Sequence, residues 1–280
     1  MIVLYILIAG LLFYTFIMVN RLPESRPDTF IKSQPTDEIT VLNIGDSITH
    51  GAMSANYVRR LEERFSEDDY RFINAGINAE LVWNVLQRMD GIVACDPDYI
   101  TILIGSNDVL ATLSDSRMKR YMKNQGIPQK ADSQWFEDNL KSLILTLKSK
   151  TNAEIAVLSL PPVTEDPSHQ GYISAASYSG IVKKIAKETD IIYLPLHEVM
   201  DRILYEKAQR RKRGIPFASN NIAINVASVK RYVLRKSWDD ISEKNGLTLL
   251  TDNIHLNDSA AEIIAGLIGD FLISHPPSAH

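Results

Sequence analysis

Short apolar runs that stop at glycine or a turn alternate with helix-spaced segments through most of this chain, and that alternation limits the folds open to it. The strand-like runs are Ile39 to Gly45, Arg71 to Ala75, Asp98 to Ile104, Ala153 to Leu160 and Ile191 to Leu194. Between and after them, Met53 to Phe65, Ala79 to Met89, Trp135 to Lys150, Ile181 to Lys187 and Asp258 to Ile273 carry helical spacing. Asp98 to Ile104 is almost wholly apolar, as a strand covered on both faces must be. The expected fold is therefore α/β: a doubly wound, mainly parallel five-stranded sheet with helices on both sides. Such a sheet binds its ligands beyond the carboxyl ends of the strands, so the residues that follow each run are where chemistry is expected.

Four segments stand out there: Gly45-Asp46-Ser47, Gly76, Gly105-Ser106-Asn107-Asp108 and Asp252-Asn253-Ile254-His255. A serine nucleophile needs a base, the base needs an orienting carboxylate, and the developing oxyanion needs aligned donors. Ser47 lies just past the first strand. Asp252 and His255, three residues apart in a loop before the last helix, let one short turn carry both base and orienter. Asn107, after the third strand, can aim an amide at an oxyanion. Gly76 ends the second strand. Taken singly, each has a plain alternative as a turn or capping residue. His50, three residues after Ser47, competes with His255 as base but has no evident carboxylate partner. The second glycine of a Gly-x-Ser-x-Gly elbow is absent, because Thr49 stands there.

Composition supports a globular domain with a sizeable core: 45% hydrophobic and 23% charged residues. A net charge of -4 gives no argument for a nucleic-acid partner. A single cysteine, Cys95, excludes an internal disulfide and a cysteine-rich metal site. Nothing in the pattern suggests metal ligation.

Met1 to Val19 contains no charged residue and is dominated by large apolar side chains. As a helix rising about 1.5 Å per residue it spans roughly 28 Å, close to the bilayer core of about 30 Å. The expectation is a single-pass transmembrane anchor at 1–20, not a cleaved signal peptide, since no basic residue precedes the run and no small-x-small site follows it. Arg21, Arg26 and Lys32 all follow the span, so the positive-inside rule leans to a cytoplasmic catalytic domain. Residues 21–38, polar and proline-containing, read as a linker, and 39–280 as the domain. Two stretches look like insertions: Ala111 to Ser133, and a basic one at about 201–246. The second contains Arg210-Arg211-Lys212-Arg213 and interleaved apolar residues that could meet acyl chains or form a lid.

The four segments together resemble the SGNH, or GDSL, hydrolase family. The matching blocks are Gly45-Asp46-Ser47-Ile48-Thr49, Asn74-Ala75-Gly76, Gly105-Ser106-Asn107-Asp108 and Asp252-Asn253-Ile254-His255, in family order, over roughly Ile39 to Ile273. The resemblance implies a flavodoxin-like three-layer α/β/α fold and cleavage of ester, thioester or O-acetyl groups without a cofactor. It makes Ser47 the nucleophile, His255 the base and Asp252 its orienter. The Ser47 and Gly76 N–H groups and the Asn107 side chain become the oxyanion hole. Asn78 and Glu80 depart from the small or hydroxyl residues more usual after the glycine, which puts the wall of the acyl pocket in question. The expected activity is hydrolysis of a small-molecule or lipid-like carboxylic ester, as a membrane-anchored esterase or lipase. An O-acetyl esterase acting on polysaccharide is the alternative, and a catalytically silent binding domain of the same fold is the third reading.

Overall fold

Five parallel strands, apolar on both faces, form the centre of the molecule. In the computed structural model, which describes residues 2–33, 37–207, 214–217 and 222–276, they are β1 (Ile39–Gly45), β2 (Tyr70–Gly76), β3 (Tyr99–Leu103), β4 (Glu154–Leu158) and β5 (Ile192–Leu194). Their order is β2-β1-β3-β4-β5, with every neighbouring pair parallel. This is the flavodoxin-like order, with its switch point between β1 and β3. The register places Gly45 opposite both Gly76 and Leu103. The ends of the first three strands are therefore level, and whatever follows them meets at one edge.

The helices among the described residues are α1 (Ile2–Asn20), α2 (Pro27–Phe30), α3 (Ser47–His50), α4 (Tyr57–Arg64), α5 (Val82–Leu86), α6 (Met89–Val93), α7 (Ser106–Thr112) and α8 (Asp115–Asn124), then α9 (Ser133–Lys150), α10 (Gln170–Thr189), α11 (Leu196–Lys207), α12 (Ile222–Tyr232), α13 (Trp238–Lys244) and α14 (Asp258–Ser274). Successive strand residues point to opposite faces, which divides the core in two. Leu42, Ile44, Ile100 and Ile102 pack with Val85 of α5, Phe136 and Leu140 of α9 and Val182 of α10. Val41, Phe72, Tyr99 and Leu158 pack with Leu61 of α4, Met200 of α11 and Ile264 and Ile268 of α14. The three layers expected from the sequence are present.

The boundaries that differ have local causes. The helix expected from Met53 starts at Tyr57, because Gly51 ends α3 in a left-handed conformation and Asn56 caps the next helix by accepting from Arg59 N at 3.0 Å. The helix expected from Ala79 to Met89 is two short ones, with Ala79 in a left-handed turn before them (φ 64°). The helix expected at Ile181 to Lys187 begins eleven residues earlier, at Gln170. Asn257 caps α14, accepting from Ala260 N at 3.0 Å, as its position suggested.

Among the described residues no helix is long and apolar enough to cross a membrane, so the structure does not bear out the expected transmembrane anchor. α1 does carry strongly exposed apolar side chains, Tyr5, Leu7, Leu12, Phe13 and Phe16 among them. It packs against α12, and Asn78 Nδ2 donates to Val19 O at 2.8 Å. The segment read as a linker packs against β2. Asn74 N donates to Ser25 O at 2.9 Å, and Arg71 lies 4.8 Å from the Phe30 ring centroid while donating to Ser33 Oγ at 2.9 Å. In the expected insertion, Arg210, Arg211, Lys212 and Arg213 lie outside the described residues. The described part comprises the end of α11, α12 and α13.

Candidate active site

The chain can turn sharply from β1 into α3 only because residue 45 lacks a side chain: a Cβ on Gly45 would meet Thr49 Oγ1 at 2.0 Å and Leu103 O at 2.5 Å. Asp46 caps α3 by accepting from Ile48 N at 3.0 Å, and Ser47 is the first helical residue. Its Oγ lies 3.0 Å from His255 Nε2. His255 Nδ1 lies 2.9 Å from Asp252 Oδ2. A carboxylate only accepts, so Nδ1 carries the proton and Nε2 is left to accept from the serine hydroxyl. All three side chains are buried. Burial alone would lower the pKa of His255, but the charge and hydrogen bond of Asp252, with a smaller contribution from Asp46, raise it above the usual imidazole value. A hydroxyl held in this way can pass its proton to the imidazole as its oxygen attacks a carbonyl.

His50, the competing base, stands apart. Its Nδ1 has no hydrogen-bond partner among the described residues, and burial pushes its pKa down to about 4. Cys95 is a buried thiol pushed up to about 11, inert as a nucleophile. Among the described residues no cluster of His, Cys, Asp or Glu is placed to hold a metal ion.

The predicted oxyanion donors meet the site unequally. Ser47 and Asn107 both line a cavity of about 200 Å³ that also contains His255. Asn107 Nδ2 donates to Asp46 Oδ2 at 3.2 Å and to Glu80 O at 3.0 Å, while Tyr121 donates to Asn107 Oδ1 at 2.6 Å. Three partners thus fix the amide plane. Gly76 does not reach the cavity. Its N–H donates to Asn74 Oδ1 at 3.0 Å, and a Cβ there would meet His50 N at 2.2 Å. Its glycine is required for close packing behind α3, not for an aimed donor. Ala79, three residues on, lines the cavity instead, and its N–H has no hydrogen-bond partner among the described residues.

A family model, described as the GDSL-like Lipase/Acylhydrolase family, matches residues 44–263. The chain belongs to that family. It is 26% identical over 183 residues to an acetylxylan esterase from Geobacillus stearothermophilus, covering 59% of this chain and 78% of that protein. Among solved structures it is similar in fold to the acetyl xylan esterase AlAXEase, with a TM-score of 0.57 at 20% identity, over 84% of this chain and all of that one. It is likewise similar to LAE5, an α/β hydrolase from the metagenome of Lake Arreo, with a TM-score of 0.55 at 18% identity, over 84% and 94%.

Several residues that shape the site in this GDSL-family chain escaped the sequence reading. Glu165 is buried, and its carboxylate accepts from the backbone N–H groups of Thr248, Leu249 and Leu250 at 2.7–2.9 Å. It therefore holds the loop that delivers Asp252. Asn253, in a left-handed conformation (φ 73°), accepts from Thr164 Oγ1 at 3.0 Å and donates to Ile215 O at 3.1 Å. Glu80 receives both Nε and Nη2 of Arg88 at 2.8–3.1 Å, and Arg88 Nη2 also reaches Ala75 O at 2.7 Å. That pair fixes the turn whose carbonyl orients Asn107, which accounts for the unusual glutamate at position 80. Asp108, pushed up to about 8 by burial, accepts from Val82 N at 3.3 Å. Only Tyr121 left a signal that could have been used: Arg117, Arg120, Tyr121 and Asn124 recur at helical spacing inside a stretch read as an insertion.

Proposed function

We propose that this chain, a carboxylic ester hydrolase by family, cleaves short acyl esters through an acyl-enzyme on Ser47. The observation that carries the reading is the continuous hydrogen-bonded line Ser47–His255–Asp252, assembled from two chain segments about two hundred residues apart and buried beside a cavity. Ser47 Oγ attacks the acyl carbon while His255 Nε2 takes its proton. The tetrahedral oxyanion is received by the Ser47 N–H, by the Ala79 N–H in the place expected for Gly76, and by Asn107 Nδ2, which shares its longer bond to Asp46. Collapse breaks the bond to the alcohol, which leaves with the proton from His255. Water, deprotonated by the same imidazole, then attacks the acyl-serine and releases the carboxylic acid.

A cavity of about 200 Å³ falls below the roughly 300–1,000 Å³ of sites for drug-sized ligands, which favours a small acyl group. Turnover of 4-nitrophenyl esters should be highest at acetate or propionate and fall by about tenfold or more beyond butyrate. A maximum at octanoate or longer would refute the short-chain assignment and favour a lipase.

Two observations support a second reading, removal of O-acetyl groups from polysaccharide. The cavity suits an acetyl group, and a relative over most of its length is an acetylxylan esterase. Membrane association through α1 belongs to the same proposal. Its support is the uncharged sequence and the exposed apolar side chains of that helix, and the basic residues that follow favour a catalytic domain on the cytoplasmic face.

A further inference from the structure

Asn107 is held at both ends of its amide, and the two ends are held differently. Nδ2 carries two hydrogens, and both have acceptors: Asp46 Oδ2 at 3.2 Å and Glu80 O at 3.0 Å. A carboxylate and a backbone carbonyl accept, so they settle which end of the amide is nitrogen. They also compete with a substrate oxygen for its hydrogens. At the other end Oδ1 accepts from Tyr121 Oη at 2.6 Å. A carbonyl oxygen has no hydrogen to give, so the tyrosine is the donor.

Tyr121 is buried in the same core cluster as Leu110 and Met118, yet it also lines the cavity that contains Ser47 and His255. It comes from α8, inside the stretch that the sequence marks as an insertion, and α8 is tied down at both ends. Ser114 Oγ accepts from Arg117 N at 3.3 Å at its start, and Gln125 O accepts from Asn84 Nδ2 at 2.8 Å just past its end. Between them α8 packs against α7, the helix that carries Asn107. Burial pushes the pKa of Tyr121 above the usual phenol value, so the hydroxyl keeps its proton across the working pH range.

We propose that Tyr121 is a positioning residue for the oxyanion: its hydroxyl anchors the Asn107 carbonyl, keeps Nδ2 at the cavity and strengthens that donor as charge develops on the substrate oxygen. The proposal rests on the ester-hydrolase reading of Ser47 and adds to it a residue outside the four sequence blocks. An amide that donates more strongly at nitrogen accepts more strongly at oxygen, because hydrogen bonds in a chain polarise one another. The bond from Tyr121 therefore tightens in the transition state, and an interaction that strengthens only there raises kcat instead of lowering KM.

The test is a double-mutant cycle in the full chain on 4-nitrophenyl acetate, using Tyr121→Phe, Asn107→Ala and the two combined. Tyr121→Phe keeps the buried ring, and Tyr121→Met repeats the comparison with a different side chain that lacks a donor. Alone, each should lower kcat by roughly tenfold or more, a part of the about 10²–10³-fold that one oxyanion donor contributes. KM should change by less than about twofold. In the Asn107→Ala background the same substitutions should change kcat by less than about twofold, since the group they position is gone. Equal losses in both backgrounds would overturn the proposal and leave Tyr121 as a support for the cavity wall. An unchanged kcat, or a raised KM with kcat intact, would overturn it as well. Failure of the wild type to hydrolyse any ester would overturn the hydrolase reading together with this one, whereas wild-type hydrolysis with any of those contrary results overturns this one alone.

Discussion

The two oxygens of Asp252 divide their work between backbone and imidazole. Oδ1 accepts from Ile254 N at 3.0 Å and His255 N at 2.8 Å, while Oδ2 meets His255 Nδ1. One carboxylate therefore shapes the turn and orients the base within it, which is what a three-residue separation allows. Because Asp252 raises the pKa of His255 against the effect of burial, and the base must be neutral to act, the acid limb of the pH–rate profile reports that pKa. Asp252→Asn should lower turnover by roughly 10³–10⁴-fold and move the limb of the remaining activity to lower pH, since the charge that favours imidazolium is gone. A limb that stays in place would show that another group, such as Asp46 with its pKa raised to about 6, sets it. Ser47, Asp252 and His255 were legible in sequence because the roles proposed for them, nucleophile, orienter and base, each demand a particular side chain. The N–H proposed as an oxyanion donor was not: any residue supplies one. Gly76 drew notice for its missing side chain, while Ala79 occupies the cavity through a left-handed turn that alanine does not advertise.

The loop from Leu247 to His255 has almost no regular structure beyond one antiparallel bridge between Leu250 and Leu256. Its shape is imposed from outside by Glu165, which gathers three successive-residue N–H groups, and from within by Thr251 N donating to His255 O at 2.8 Å. Glu165→Gln replaces one acceptor oxygen by a donor facing Thr248 N. The charge-assisted bonds are weakened, and a destabilisation of about 1–3 kcal/mol is expected, read as a lower denaturant midpoint. Turnover should fall more than KM rises, because the loop carries both the base and the carboxylate that orients it. Unchanged stability and turnover would show that the loop holds its form without Glu165. The strands and their order were readable from apolar runs because a parallel sheet buries both faces. The boundaries of α4, α5 and α10 were not. Gly51 and Ala79 set them through left-handed turns, and α10 begins in a Gly- and Ser-containing stretch whose burial against α9 overrides weak propensity.

Across the molecule, α1 and the segment after it relate differently to the catalytic domain. Residues 21–33 lie along β2 and supply the acceptor for Asn74 N, and Asn74 in turn donates to Thr49 O at 2.7 Å behind the nucleophile turn. α1 reaches the domain through its contact with α12 and through Val19 O. Removing 1–20 should therefore leave a folded enzyme active on a water-soluble short-chain ester, with weakened association with lipid vesicles. Removing 1–33 should lower the melting temperature and the turnover together. Equal behaviour of the two truncations would mean that the docked segment adds nothing to the site. The sequence marked 21–38 as a linker because it is polar and aperiodic, and neither property reveals that part of it packs against the edge strand β2.

The central claim is that Ser47 is the residue acylated in turnover. Intact mass and peptide mapping after treatment with a fluorophosphonate probe test it most directly. One adduct is expected, on Ser47, and it should be absent from Ser47→Ala protein that melts at the wild-type temperature. An adduct on any other residue, or undiminished labelling and ester hydrolysis in Ser47→Ala, would contradict the account.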